Sequence, residues 1–117
     1  MKYTLLIYMN EADWAGMTEA EQARIYGAFS TLTEDLKRRG QHVAGEELRP
    51  TATASTVRLR SGRTLVTDGP FAETKEQLGG FYIVEVEDLD AALAIAARIP
   101  LSEVGCVEVR PIQSMGA

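Results

Sequence analysis

Gly80-Phe81-Tyr82-Ile83-Val84-Glu85-Val86-Glu87 is the stretch on which the architecture turns. Its aromatic and β-branched residues read as a strand, apolar on both alternating sides through most of its length, which suits a strand covered on two faces. Such a strand belongs in the middle of a sheet. Asp88 follows as a helix N-cap, with Asp90 in the first turn. Leu89, Ala92, Leu93, Ala96 and Ile99 then supply a buried stripe that Pro100 ends. The chain returns in a closing strand from Cys106 to Ile112, where Val107 and Val109 share one side and Cys106, Glu108 and Arg110 the other.

A similar unit opens the chain. Lys2 to Met9 is a strand with Tyr3, Leu5, Ile7 and Met9 on one face and Leu6 and Tyr8 on the other. Asn10 to Met17 breaks the pattern and reads as a loop carrying Trp14. Thr18-Glu19-Ala20-Glu21 is a capping box, in which hydroxyl and carboxylate satisfy backbone donors at a helix start. Ile25, Phe29, Leu32 and Leu36 align as its core stripe, and Glu34 and Asp35 stand four residues before Arg38 and Arg39. Lys37-Arg38-Arg39 suits the negative end of the helix dipole, and Gly40 ends the helix. His42 to Leu48 reads as a weaker strand. Thr56–Arg60 and Arg63–Thr67 flank Ser61-Gly62, a two-residue hairpin connection.

Strand, helix, strand, hairpin, strand, helix, strand predicts an α+β fold: a ferredoxin-like βαββαβ antiparallel sheet with two helices on one face, in a single domain over residues 1–117. The other face is left bare, and its large side chains point to association as a symmetric homodimer, sheet against sheet. Strand parity turns Val107 and Val109 toward the helices. Glu108 and Arg110 then point between the two sheets, either as a mutual ion pair or as polar groups of a wet ligand pocket.

Composition excludes several function classes. With 45% apolar and 25% charged residues, no segment is polar enough to stay disordered. No apolar run approaches the roughly 20 residues that span a bilayer. The opening strand meets Asn10-Glu11 without a small-residue cleavage site, so it reads as core rather than as a signal segment. A lone Cys106 suits a reducing compartment, and the expected location is cytoplasmic. A net charge of −5 argues against nucleic acid and anionic membrane as partners. Lys37, Arg38, Arg39, Arg49, Arg58, Arg60 and Arg63 crowd the middle third, as a patch for an anion or as solvated helix-end and hairpin charges.

Chemistry-bearing residues are few. Asp68-Gly69-Pro70-Phe71-Ala72-Glu73-Thr74-Lys75-Glu76 is a tight bend in which Asp68 bonds nearby amides and Phe71 pins the loop to the body. Asp68, Glu73, Lys75 and Glu76 are candidate acid–base groups by residue type, or charges that hold a loop. Trp14 either closes over a pocket between sheet and helix or anchors at the surface. His42 reads as a solvated histidine at a strand start, and Cys106 as a packing residue without a nucleophile's partners. One Cys and one His do not make a metal site, Gly79-Gly80 precedes a strand and so forms no phosphate loop, and no cofactor is expected.

The string Asp68 to Glu76, with Gly79-Gly80-Phe81 and the later Glu108-Val109-Arg110-Pro111-Ile112, resembles the DGPF-type, YCII-related family over essentially the whole chain. The resemblance implies a dimeric α+β barrel of ferredoxin-like subunits. It also implies a small-molecule protein with acid–base, isomerase- or lyase-like activity, as in relatives resembling muconolactone isomerases and dehydrochlorinases. The better-described YCII branch carries a His–Asp dyad. By offset from Gly40 its places fall near Phe29 and Ile99, which have no proton chemistry. Other DGPF members resemble modules linked to extracytoplasmic-function sigma factors, which implies a regulatory role with a sigma factor as partner. Three readings stand: a ligand-binding protein using Glu108, Arg110, Phe71 and Trp14, a docking module using the motif loop, and a domain whose only activity is stable dimerisation.

Overall fold

In the computed structural model, which describes residues 1–102 and 104–115, the alternation of the first strand becomes a division between two faces. Strand β1 (Lys2–Met9) buries Tyr3, Leu5, Ile7 and Met9 and leaves Thr4, Leu6 and Tyr8 partly exposed. It pairs antiparallel with β5 (Gln77–Glu85) and with β6 (Cys106–Pro111), and β2 (His42–Glu47) pairs on the outer side of β5. The order β2-β5-β1-β6, antiparallel throughout, is compatible with a ferredoxin-like fold, and β5 is interior. Glu103, Gly116 and Ala117 of the expected 1–117 unit lie outside the described residues.

Two longer helices cover one face. Helix α2 (Glu19–Arg38) begins at Thr18, whose hydroxyl accepts from the Glu21 amide at 3.1 Å and donates to the Glu21 carboxylate at 3.0 Å. Leu32 and Leu36 enter the core with Phe29 packed beside them. Burying a leucine as fully as Leu36 contributes about 2 kcal/mol. Helix α3 (Leu89–Ala96) begins at Asp88, which accepts from the Ala91 amide at 2.9 Å.

The α3 stripe differs from the predicted one. Ala92, Ile95, Ala96 and Ile99 are buried, whereas Leu89 and Leu93 are exposed. Small Ala92 and Ala96 let the helix approach the sheet closely, so the face follows them and leaves the larger leucines on the flank. The helix also stops at Ala96, and tight turns ending at the Ile99 amide lead into Pro100.

Two further features depart from the sequence reading. The Asn10–Met17 loop contains a short helix, α1 (Glu11–Ala15), capped by Asn10, whose Oδ1 accepts from the amides of Ala12 and Asp13 at 2.9 and 3.1 Å. The fold thus has three α-helices among its described residues. The predicted hairpin forms as β3 (Ser55–Arg60) and β4 (Arg63–Asp68), with Ser61 and Gly62 at positive φ of 50° and 73°. It stands as a separate two-stranded sheet. The radius of gyration, 16.3 Å, exceeds the roughly 13 Å of a compact chain this long, because the hairpin projects as an arm.

Asp35 ties the helices together. It is buried, accepts from Arg38 at 2.5 Å and from Arg39 at 3.1 Å within α2, and receives Arg98 from beyond α3 at 2.7 Å. Two of the seven clustered cations are consumed by this clamp.

Candidate functional site

A cavity of about 830 Å³ lies between the helices and one end of the sheet. Its volume falls within the range of small-molecule sites. It opens where side chains are missing from the sheet: Gly45 of β2 and Gly79 and Gly80 of β5 line it. Gly45 and Gly80 have packing reasons. A Cβ on Gly45 would come within 2.8 Å of the Tyr82 ring, and one on Gly80 within 2.9 Å of the Glu46 carbonyl.

Aromatic and aliphatic side chains line most of the rest. Ile25, Tyr26 and Phe29 come from α2 and Trp14 from α1, with Trp14 edge-on to Tyr26 at 5.4 Å between centroids. Phe29 stacks on Tyr82 at 6.3 Å, and His42 meets the same ring edge-on at 6.1 Å. Tyr82 shares a 2.7 Å hydrogen bond with Thr33. Burial raises the Tyr82 phenol above its ordinary value, against the lowering effect of Thr33. Burial, then the Glu47 carboxylate to which it donates at 2.8 Å, raises Tyr26 as well. Both phenols are therefore neutral hydrogen-bonding groups at physiological pH.

Backbone irregularities aim two polar residues here. Between His42 and Ala44 the β2–β5 register slips by one residue, so His42 pairs with buried Val84 and lies on the helix side of the sheet. A second slip, opposite Ile7 and Tyr8, leaves Gly79 unpaired and brings Gln77 onto the side of buried Met9. Bulges that re-aim side chains in this way occur beside sites. Gln77 Oε1 accepts from the Glu11 amide at 2.9 Å, and its Nε2 donates to the Thr74 carbonyl at 2.5 Å. Glu11 receives the Thr51 amide and hydroxyl at 2.8 and 2.7 Å. Among the cavity's ionisable side chains, His42, Glu46 and Arg49 are uncommitted, with no hydrogen bond or ion pair among the described residues; Arg49 is the lining's one Lys or Arg.

The residues singled out from sequence scatter. Trp14 is in the cavity wall, on a helix rather than the expected loop. Phe71 is 78% exposed, so within one protomer it does not pin the motif loop. That work falls to Asn10, whose amide donates to the Lys75 carbonyl at 3.0 Å, and to Gln77. Nor does the Asp68 side chain hold the bend: the Gly69 amide donates to Ala54 at 2.7 Å, and the Gly69 carbonyl accepts from Thr56 at 2.8 Å. Asp68, Glu73 and Lys75 are exposed, with no ion pair among the described residues.

Glu76 lies by Cys106, Oε1 to Sγ 3.9 Å, and burial together with Glu76 pushes the Cys106 thiol up, away from nucleophilic use. Glu108 and Arg110 form an ion pair on the face without helices, Nε to Oε2 3.0 Å, and do not line the cavity. Phe29 lines it, while Ile99 is core. The sequence reading gave no weight to Tyr26 or Gln77 and saw Arg49 as one of seven clustered cations, not as a cavity residue. The signal that could have found them is the set Gly45, Gly79 and Gly80, which marks an unfilled stretch of sheet facing the aromatic side of α2. No group of three or more potential metal ligands occurs among the described residues, and no helix there is long and apolar enough to cross a membrane.

The comparisons agree with one another in extent. A model of the YCII-related domain matches residues 1–116. An uncharacterised protein of Rhizobium meliloti (strain 1021), R00369, is 37% identical over 114 residues, spanning 96% of this chain and 92% of the relative. With a whole-length family match and a whole-length relative, this chain belongs to the YCII-related domain family.

Proposed function

We propose that the protein binds a small, largely apolar molecule in the helix-side cavity and carries out proton-transfer chemistry of the isomerase or lyase kind on it. The observation that supports this reading is the pairing of a ligand-sized aromatic cavity with uncommitted polar side chains, among them His42 and Arg49. Aromatic walls and few polar groups are what orient a small ligand. His42 is the candidate acid or base, and Arg49 suits a carboxylate or enolate oxygen on the ligand. Trp14 covers one end.

The reading extends to the DGPF-type branch through the string from Asp68 to Glu76, and to a homodimer through the bare sheet face that carries Leu6, Tyr8, Phe81 and Ile83. In such a dimer Glu108 and Arg110 meet the partner, and they are the alternative ligand contacts.

A metabolite-library thermal-shift screen decides between the two faces, since a ligand raises the melting temperature in proportion to its binding. Hits lost in Trp14→Ala and His42→Ala but kept in Glu108→Gln and Arg110→Ala are the expected result. The reverse pattern moves the site between the sheets, and the absence of hits across a broad library removes the reading.

A further inference from the structure

The hairpin arm has two chemically distinct faces. Register pairs Val57 with Val66 and Leu59 with Thr64, so these side chains share one side. Val57, Leu59 and Val66 are 62%, 66% and 62% exposed. The opposite side carries Arg58, Arg60 and Arg63, with Leu65 among them. Two-stranded hairpins are marginal in water unless a face is packed, and this one packs neither.

The arm is nonetheless held firmly at its root. Thr51 on the way out is bound by Glu11, and Lys75 and Gln77 on the way back are bound by Asn10 and the Glu11 amide. Its direction is therefore set by α1, and it presents a placed surface.

We infer that a second copy of this chain covers the arm: the apolar face of each arm lies on the other protomer, extending the contact between the two bare sheet faces. Charge favours this occupant. The arm carries three arginines against Asp68 alone, whereas the whole chain has a net charge of −5, so the body holds all the negative excess. The arginines stand on the side of the arm away from the apolar contact, so cationic arm and acidic body attract at longer range across a two-fold arrangement, in which each contact occurs twice.

Area favours it too. Six paired residues on two strands make a strip of about 20 Å by 10 Å, while a stable interface takes roughly 800 Å² from each partner. The arm is too small to dock alone and serves as an addition to the sheet contact. The inference thus rests on the homodimer reading, and the test separates them.

Sedimentation velocity across a concentration series is run on the wild type, on Val57→Thr/Leu59→Thr/Val66→Thr, which keeps strand propensity, and on Leu6→Lys in the bare face. The expected result is a wild-type dimer whose dissociation constant rises with salt. It should also rise at least about tenfold in the threonine variant. A dimer unchanged by the threonine substitutions but lost in Leu6→Lys overturns the arm contact and leaves the sheet contact standing. A wild type monomeric at every concentration overturns both.

Hydrogen exchange on the wild type gives an answer independent of any variant's folding. Amides of residues 55–68 that are unpaired within the hairpin should exchange more slowly as protein concentration rises. Exchange that does not depend on concentration refutes the arm contact.

Discussion

Asp35 shows how one residue acquires a role its neighbours in sequence do not explain. Spacing offered it Arg39, an ordinary helix pair of small value, but Arg38 turns to it as well and a third partner, Arg98, reaches it from beyond α3. That bond first, then Arg39 and Arg38, lowers the Asp35 carboxyl from 3.8 to about 2. A folded value below the unfolded one means that folding favours the charged form. The stabilisation is fully present above the unfolded value and fades as pH falls from about 4 toward 2. Asp35→Asn should lower the melting temperature at pH 7, and the gap to wild type should close as pH falls toward 2. Thermal melts by circular dichroism across that range check it; a gap independent of pH would show that the clamp contributes nothing through ionisation.

His42 and Trp14 illustrate the same scale for the site. Both were visible as unusual residues, but parity counted from the strand start cannot reveal a register slip, because the slip is made with β5, some forty residues away. The bulge turns His42 to the helix side. Trp14 was open between pocket wall and surface anchor, and the choice depended on where a short helix, invisible in the hydrophobic pattern, sets its ring against Tyr26.

Elements were the most legible scale. Caps and periodicity are local, so Thr18, Asp88 and Gly40 marked helix ends that the structure repeats, and Ser61-Gly62 marked a turn whose two positive φ values explain its residues. Asp88→Ala should cost about 1 kcal/mol in urea-denaturation stability, because the Ala91 amide loses its acceptor. Helix faces were less legible. In α3 the choice between the leucine flank and the alanine flank depends on how closely the helix lies on the sheet, which only packing settles. The motif loop was misread for a related reason: a phenylalanine among turn residues suggests an anchor, yet the loop is held by hydrogen bonds from Asn10 and Gln77, residues with no apolar signal.

At the scale of the molecule, three surfaces stay unfilled: the helix-side cavity, the sheet face without helices and the apolar side of the arm. The arm root and the cavity share Glu11 and Gln77, so both are shaped by the same few hydrogen bonds. If the homodimer reading holds, the melting temperature rises with protein concentration, since association binds only the folded chain. Differential scanning calorimetry over a hundredfold range checks this, with a constant midpoint as the contrary result.

The sequence by itself determined the strands, the two longer helices, their order and the inward parity of β6, because periodicity, caps and turn chemistry act over a few residues and survive without the rest of the chain. Only the tertiary structure decided which helix flank is buried, where the sheet lacks side chains against α2, how two register slips aim His42 and Gln77, and that the hairpin leaves the sheet as an arm. Each of those depends on pairings between distant segments, and their energetics are settled by how whole surfaces meet rather than by the preferences of any one residue.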